Sequence, residues 1–374
     1  MLTPRTATRA LLALLVSLLA LAPSASAAVN WVVRGHGFGH GVGVSQYGAY
    51  GYALHGKDYK FILGHYYQGS TIGQASGPHV VRVLLDISGG DVGFSAATSA
   101  CGIALNPGSH YEAHRDGARV RLRSAAGKPL ADCGAKLRAA GRGRVTIDGV
   151  GTYRGALEVV PTESNPGALN VINALAVEQY VKGVVANESP PSWPAAELQT
   201  QAVESRSFAL SVDVEGNGFD LYDDTRSQVY DGYSSETATT NAAAEATKGE
   251  VVMYGGKVAE TYFSACSGGY TESVQNVFFG PAVPYLTGVP DPYDYYCPLH
   301  DWRLKFSGPQ ISAKLGSYLK GKLKQVVITK RGISPRIVAA KLIGTGGVTT
   351  VTGEQLQVAL GAYSTWMSFQ KLAG

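Results

Sequence analysis

The run from Tyr180 to Leu210, YVKGVVANESPPSWPAAELQTQAVESRSFAL, holds the residue best placed for acid–base chemistry. Glu188 follows a stretch in which Val177, Tyr180, Val181, Val184 and Val185 share one helical stripe. Pro190, Pro191 and Pro194 then break the pattern, and Pro194 suits the first turn of a second helix. That helix is expected to reach about Val212, with Leu198, Ala202, Phe208 and Ala209 facing inward. A carboxyl where a helix meets a turn has rigid support and access to a cleft. Val184, Val185 and Trp193 can desolvate it, and desolvation raises a carboxyl pKa, as a general acid near neutral pH requires. The competing reading is a solvated glutamate or a helix cap, and spacing alone favours it. Glu272, in GGYTES, and Asp291 are the other candidate carboxylates, for orienting a substrate or for structure alone. No G-x-S-x-G elbow is present, which argues against a Ser-His-Asp hydrolase.

A second constellation is GHGFGHGVGVSQYGA, Gly35 to Ala49. Glycine occupies 35, 37, 39, 41 and 43, with His36, Phe38, His40 and Val42 between. Read as a strand, one face has no side chains and lets another backbone or a flat sugar ring come close. The other face carries both histidines about 13 Å apart, too far to chelate one metal. The alternative is a packing strand with core histidines. The expectation is a segment lining a cleft beside Glu188, with His36, His40, Ser45 and Gln46 offering donors and acceptors. Ser267, Gly268 and Gly269 either let backbone amides approach a sugar or form a tight turn.

Compartment follows from the ends of these motifs outward. Arg5 and Arg9 precede an apolar run, Leu11 to Ala22, and Ala25-Ser26-Ala27 follows, the pattern of a secretory leader over residues 1–27. The run is short for a membrane anchor, so the expectation is an exported protein, free of the membrane after cleavage. Cys101, Cys133, Cys266 and Cys297 are an even count in such a chain. Nearest-neighbour disulfides, Cys101–Cys133 and Cys266–Cys297, compete with a zinc site from Cys266, Cys297 and His300; the compartment favours disulfides. A net charge of +4, lowered further by loss of Arg5 and Arg9, gives no case for nucleic acid. The 21 tyrosines fit a hydrogen-bonding aromatic surface, a weak pointer to sugars.

These residues need elements to hold them. Ser45 can cap a helix to Gly56, and Tyr59 to Gly69 reads as a second. Residues 79–162 hold short β-branched runs bounded by turn residues, a β-rich module. ALNVINAL, QVVITKR and IVAAKLIG are further strands, and Thr352-Gly-Glu-Gln355 is a capping box opening a helix over 354–360. The fold class expected is α+β: a mixed helix and sheet core with a β-rich lobe. The segments are 28–78, 79–162 and a catalytic core at 163–374.

The Tyr180–Leu210 stretch resembles the SpoIID/LytB family of cell-wall proteins. The likeness continues through DLYDDTRSQVYDGY, AAAEATKGEVVMYGGK, TYFSACSGGYTES, VPYLTGVPDPYD and VTGEQLQVALGAYSTW, and GHGFGHGVGVSQYGAYG resembles its most recognisable signature. Residues 87–150 are least covered. The resemblance implies a lytic transglycosylase acting on peptidoglycan glycan strands, particularly peptide-denuded ones, with the catalytic glutamate at Glu188 and no cofactor. It also implies an alternative: a non-catalytic glycan-binding enhancer of a cell-wall amidase, which makes such an amidase a candidate partner. Gln201, Arg206, Ser207, Gln228 and Tyr230 match family positions as substrate-side candidates. Arg206 either holds a substrate carboxylate or acetamido oxygen or forms a buried ion pair. In the sporulation proteins the glycine motif lies near the C-terminus; here it is near the N-terminus. A circular permutation would explain this, and it requires residues 30–70 to pack beside 340–374.

Overall fold

A computed structural model describes residues 31–163, 165–212 and 218–372, and the expected leader lies outside them. The fold is α+β. Five helices bear on the site: α1 (Gln46–Leu54), α2 (Tyr59–Tyr66), α3 (Val177–Glu188), α4 (Ala195–Ser211) and α5 (Ala238–Ala246).

The strands of 79–162 belong to a ten-stranded sheet that does not stop at 162. Leu169–Ala176 lies between Val80–Ser88 and Gly151–Pro161 and is antiparallel to both. Leu221–Tyr222 adds a parallel edge strand against Val80–Ser88. Nearly every residue of Leu169–Ala176 is buried, which is why its sequence reads as a continuous apolar run rather than an alternating one. α3, α4 and α5 join the sheet in one core, where Val83, Leu157 and Val171 meet Tyr180, Val184, Leu198, Phe208 and Ala243. The β-rich lobe and the helix bearing Glu188 are therefore not separately cored.

Two further cores follow, beside a small cluster of Leu84, Ile172 and Phe219. Ala49, Tyr52, Ile62, Leu63 and Tyr66 of α1 and α2 pack with Val203 of α4 and Val252. Trp31, Val33, Trp302, Ile337, Leu356 and Met367 form the other. There Trp31–His36 is the central strand of three, antiparallel to both Asp301–Phe306 and Met367–Lys371. His36 N–H donates to the Trp366 carbonyl at 3.0 Å and Gly39 N–H to that of Tyr363 at 2.9 Å. The N-terminal segment thus lies against the C-terminal one, the adjacency that a permutation requires.

The glycine motif corrects one expectation. The strand ends at His36. Beyond it Gly37, Gly39, Gly41 and Gly43 take φ of 76°, 100°, 77° and 72°, so the alternation encodes left-handed backbone at every second residue, not an extended ribbon. Close approach survives the correction. A Cβ on Gly43 would overlap the Tyr262 carbonyl oxygen, and one on Gly41 would overlap the Arg336 guanidinium. The segment winds along residues 262–272, bridging Phe38 to Cys266 and Val42 to Glu272.

Local signals acted as their chemistry dictates. The Thr352 hydroxyl accepts from Gln355 N–H while the Gln355 side chain accepts from Thr352 N–H, the reciprocal cap that starts the helix Gly353–Leu360. Pro194 stands at the N-cap of α4, where its missing N–H costs nothing. Both disulfides, Cys101–Cys133 and Cys266–Cys297, are formed. His300 accordingly pairs with Asp294 through Nδ1 at 2.8 Å instead of joining a zinc set. Among the described residues no helix is long and apolar enough to cross a membrane, and no cluster of His, Cys, Asp and Glu could hold a metal.

Candidate functional site

Glu188 is the last residue of α3, and Ser189 leaves the helix in an extended conformation. Glu188 lines a cavity of about 480 Å³ and is partly buried. Oε1 accepts from Val229 N–H at 2.7 Å, and Oε2 is 3.5 Å from the Gln46 amide. Burial pushes its pKa up, against the lowering effect of the Val229 and Gln46 hydrogen bonds. Glu188 is the one carboxylate among the described residues that line the cavity.

Gln46 fixes this arrangement. As the first residue of α1 it sends Nε2 to the Glu188 carbonyl at 3.1 Å and to Gln201 Oε1 at 3.0 Å. Gln201 is fully buried on α4 and also donates to Ser205 Oγ. The end of α3, the start of α1 and the buried face of α4 are thereby tied at one point.

The glycine motif supplies the facing wall through Phe38, Gly39 and His40. His40 Nδ1 accepts from Val42 N–H at 2.9 Å. Burial, then the nearby Arg336 charge, lowers its pKa to about 4, so the ring is neutral at ordinary pH. His40, Tyr262 and Phe278 form an aromatic bank, with Tyr262 and Phe278 centroids 4.9 Å apart and His40 5.5 Å from Phe278. Phe38 and Phe278 are each nearly half exposed. Large apolar rings open to solvent beside a carboxyl make a cavity suited to the faces of a sugar.

Of the residues expected at the substrate, Glu188, His40 and Gln46 meet in this cavity, and the rest lie outside its walls. His36 is at the surface with Nδ1 2.7 Å from Asp301, packed near Trp366. The Ser45 hydroxyl is committed to Asp294 while accepting from Gly48 and Ser267 N–H. Arg206 corrects to the ion-pair reading. It is fully buried, bidentate to Glu178 at 2.9 and 2.8 Å, and spends its other donors on the carbonyls of Ala202, Ala244 and Glu250. With five donors used, its fork has nothing left for a ligand.

Ser207 bonds Val203 O and Val252 N–H, and Tyr230 donates to Asn173. Gln228 is buried and donates to Ser205 O, its neighbour Val229 providing the N–H that holds Glu188. Ser267, Gly268 and Gly269 form the tight turn. The first two amides are taken by Asp294, and that of Gly269 by the Ser267 hydroxyl. Glu272 is buried and accepts from Ser273, Asn276, Ile333 and Ser334. Asp291 accepts from Tyr66 and Ser267, and burial raises its pKa to about 7. Both runner-up carboxylates are buried and bonded within the protein, outside the cavity walls.

Sequence reasoning passed over the loop at Thr225, Arg226 and Ser227, which forms part of the wall. An Asp224 side chain accepting from Arg226 N–H shapes that turn, and an Asp two residues before its donor was the available clue. It also passed over Phe208, Tyr262 and Phe278, whose apolar type reads as core.

Comparisons with known proteins bear on this arrangement. Residues 165–254, which include Glu188 and most of the helices around it, match the family model SpoIID, described as stage II sporulation protein. The chain is 37% identical over 134 residues to the amidase enhancer of Bacillus subtilis, covering 36% of this chain and 18% of that protein. It is 29% identical over 221 residues to stage II sporulation protein D of Bacillus amyloliquefaciens, covering 54% and 62%. It is 40% identical over 147 residues to an uncharacterized protein of Brachyspira hyodysenteriae, covering 38% and 39%. In each case the match spans less than two thirds of the relative's length.

Proposed function

From a chain that carries a SpoIID domain at residues 165–254, we propose a peptidoglycan lytic transglycosylase in which Glu188 is both acid and base. The observation that carries this reading is a single desolvated carboxyl, held by an amide and a backbone N–H, in an aromatic-walled cavity with no second carboxylate among its described lining residues. Ordinary glycosidases need two carboxylates to activate water or trap the sugar. An intramolecular attack needs one. The protonated Glu188 gives its proton to the glycosidic oxygen as the C1–O bond breaks. The sugar's own 6-hydroxyl oxygen bonds to C1, and the Glu188 carboxylate takes the hydroxyl proton, restoring the acid. Val229 N–H and Gln46 orient the carboxyl, and Phe38, Tyr262 and Phe278 offer faces to the sugar rings. The glycan strand is the partner, cell-wall export fits the two disulfides, and the chemistry requires no cofactor.

The likeness to an amidase enhancer favours one second reading, a glycan-binding protein that promotes a cell-wall amidase without turnover. Product analysis separates the two. The protein and its Glu188→Gln variant are incubated with peptide-free glycan strands, and the ends are identified by mass spectrometry. The expected result is 1,6-anhydromuramic ends from wild type only. Water-added reducing ends would mean hydrolysis instead. Binding without cleavage by either protein would favour the enhancer.

A further inference from the structure

A second cavity, about 780 Å³, opens on the β-rich lobe and shares Arg226 with the cavity of Glu188. The catalytic reading makes no use of it. Its floor is built from the edge of the ten-stranded sheet, with Leu84, Phe219 and Tyr222 giving apolar surface. Asn170 sits in this wall although it is only 7% exposed. Its Oδ1 accepts from the Thr162 hydroxyl at 2.9 Å, and among the described residues its NH2 group has no hydrogen-bond partner. The amide group therefore keeps donors to offer to acceptors that enter the cavity.

Two arginines line the same cavity. Arg226 stacks on the Tyr222 ring at 3.8 Å and grips Asp224 through Nε and Nη2, leaving Nη1 uncommitted. Arg115 spends Nε and Nη1 on the carbonyls of Gly117, Asn165 and Ala168, leaving Nη2. The one carboxylate among the described lining residues is Glu163, which is exposed.

We propose that this cavity is a distal subsite for the same strand, holding acidic amino-sugar units beyond those at Glu188. The proposal rests on the glycan reading of the first cavity. The ligand chemistry follows from the wall: an apolar floor at Leu84, Phe219 and Tyr222 for the ring carbons, N-acetyl oxygens for Asn170, and the lactyl carboxylates of peptide-free strands for Arg226 Nη1 and Arg115 Nη2. Arg226 borders both cavities, and a strand that occupies both binds more tightly than one that reaches only the first.

The test uses the full chain carrying Glu188→Gln, so that strands stay intact. Calorimetric titration compares peptide-free glycan of two disaccharides with glycan of six. The longer strand is expected to bind at least tenfold more tightly. Asn170→Asp, nearly isosteric and still able to accept from Thr162, is expected to remove that advantage while leaving the short strand's affinity unchanged. Arg115→Ala is expected to do the same in part, and uncharged chito-oligomers of six sugars or more to gain less from length. Equal affinity for both lengths, or an Asn170→Asp protein that keeps the full advantage, would overturn the subsite while leaving the catalytic reading intact. Failure of either length to bind would overturn both.

Discussion

At the residue scale, the proposed reaction turns on the protonation state of Glu188. An acid must hold its proton until the leaving oxygen needs it, and burial supplies that while Val229 and Gln46 oppose it. The sign fixes a pH dependence. The acid step requires the protonated form, so kcat/KM on glycan is expected to fall as pH rises through the elevated pKa of Glu188. Gln46→Leu removes one group that favours the charged form, so the falling limb should move to higher pH; pH–rate profiles of the two proteins check this, and a limb moving lower would count against the assignment. The place of Glu188 at the end of a helix before a proline turn was legible in sequence, but the groups around its carboxyl, Gln46, Val229, Tyr262 and Phe278, come from remote segments. Arg206 was ambiguous because its partner Glu178 is 28 residues away and its burial depends on α5 and Glu250. Nothing in the local sequence distinguishes a saturated guanidinium from a free one.

Elements impose their own constraints, and the glycine motif is the clearest. Period-2 glycine reads as a strand with one bare face, yet the same spacing serves a backbone that turns left-handed at each second residue, and only the packed partner decides between them. The close approach was legible; the conformation was not. Glycines of equal φ should therefore differ in consequence. Gly56 has φ 75° and open space around its missing Cβ, while Gly43 has φ 72° and the Tyr262 carbonyl in the way. Gly56→Ala is expected to cost about 1 kcal/mol from the left-handed backbone alone, and Gly43→Ala roughly 3 kcal/mol or more once overpacking is added; denaturant unfolding measures both. Helix α4 carries a different constraint. Burial raises the pKa of Glu197 from 4.5 to about 8, and Glu204 shifts the same way. The folded state then keeps a proton that the unfolded state releases, so stability is full below about pH 4.5 and is lost as pH rises towards 8. The Tm is expected to fall across that window, and Glu197→Gln, which cannot ionise, should flatten the fall.

For the whole molecule, the cavity is assembled from pieces remote in sequence: residues 38–40, Gln46, Glu188, Phe208, the 225–227 turn, 261–265 and Phe278. Short-range patterns located each helix and strand near these pieces, but the meeting of 38–46 with 261–265 depends on a seam that no local pattern contains. That seam is held by exchanged backbone bonds between Phe38 and Cys266, each 3.0 Å, and Cys266 is tied to Cys297. The other disulfide, Cys101–Cys133, lies in the β-rich lobe away from both Glu188 and the glycine motif. The two bonds span 31 and 32 residues, so loop-closure entropy predicts nearly the same stabilisation for each, about 3.7 kcal/mol. Their functional effects should nevertheless part. Replacing Cys101 and Cys133 together with alanine is expected to lower the unfolding free energy by about that amount and leave glycan cleavage, measured well below Tm, unchanged. Replacing Cys266 and Cys297 should lower stability similarly and also slow cleavage, because Ser264 and Ala265 line the cavity and Cys266 anchors Phe38 across from them. Measuring Tm and cleavage rate on the same preparations separates the outcomes: equal loss of activity from both pairs would mean that the seam holds the fold but not the shape of the cavity.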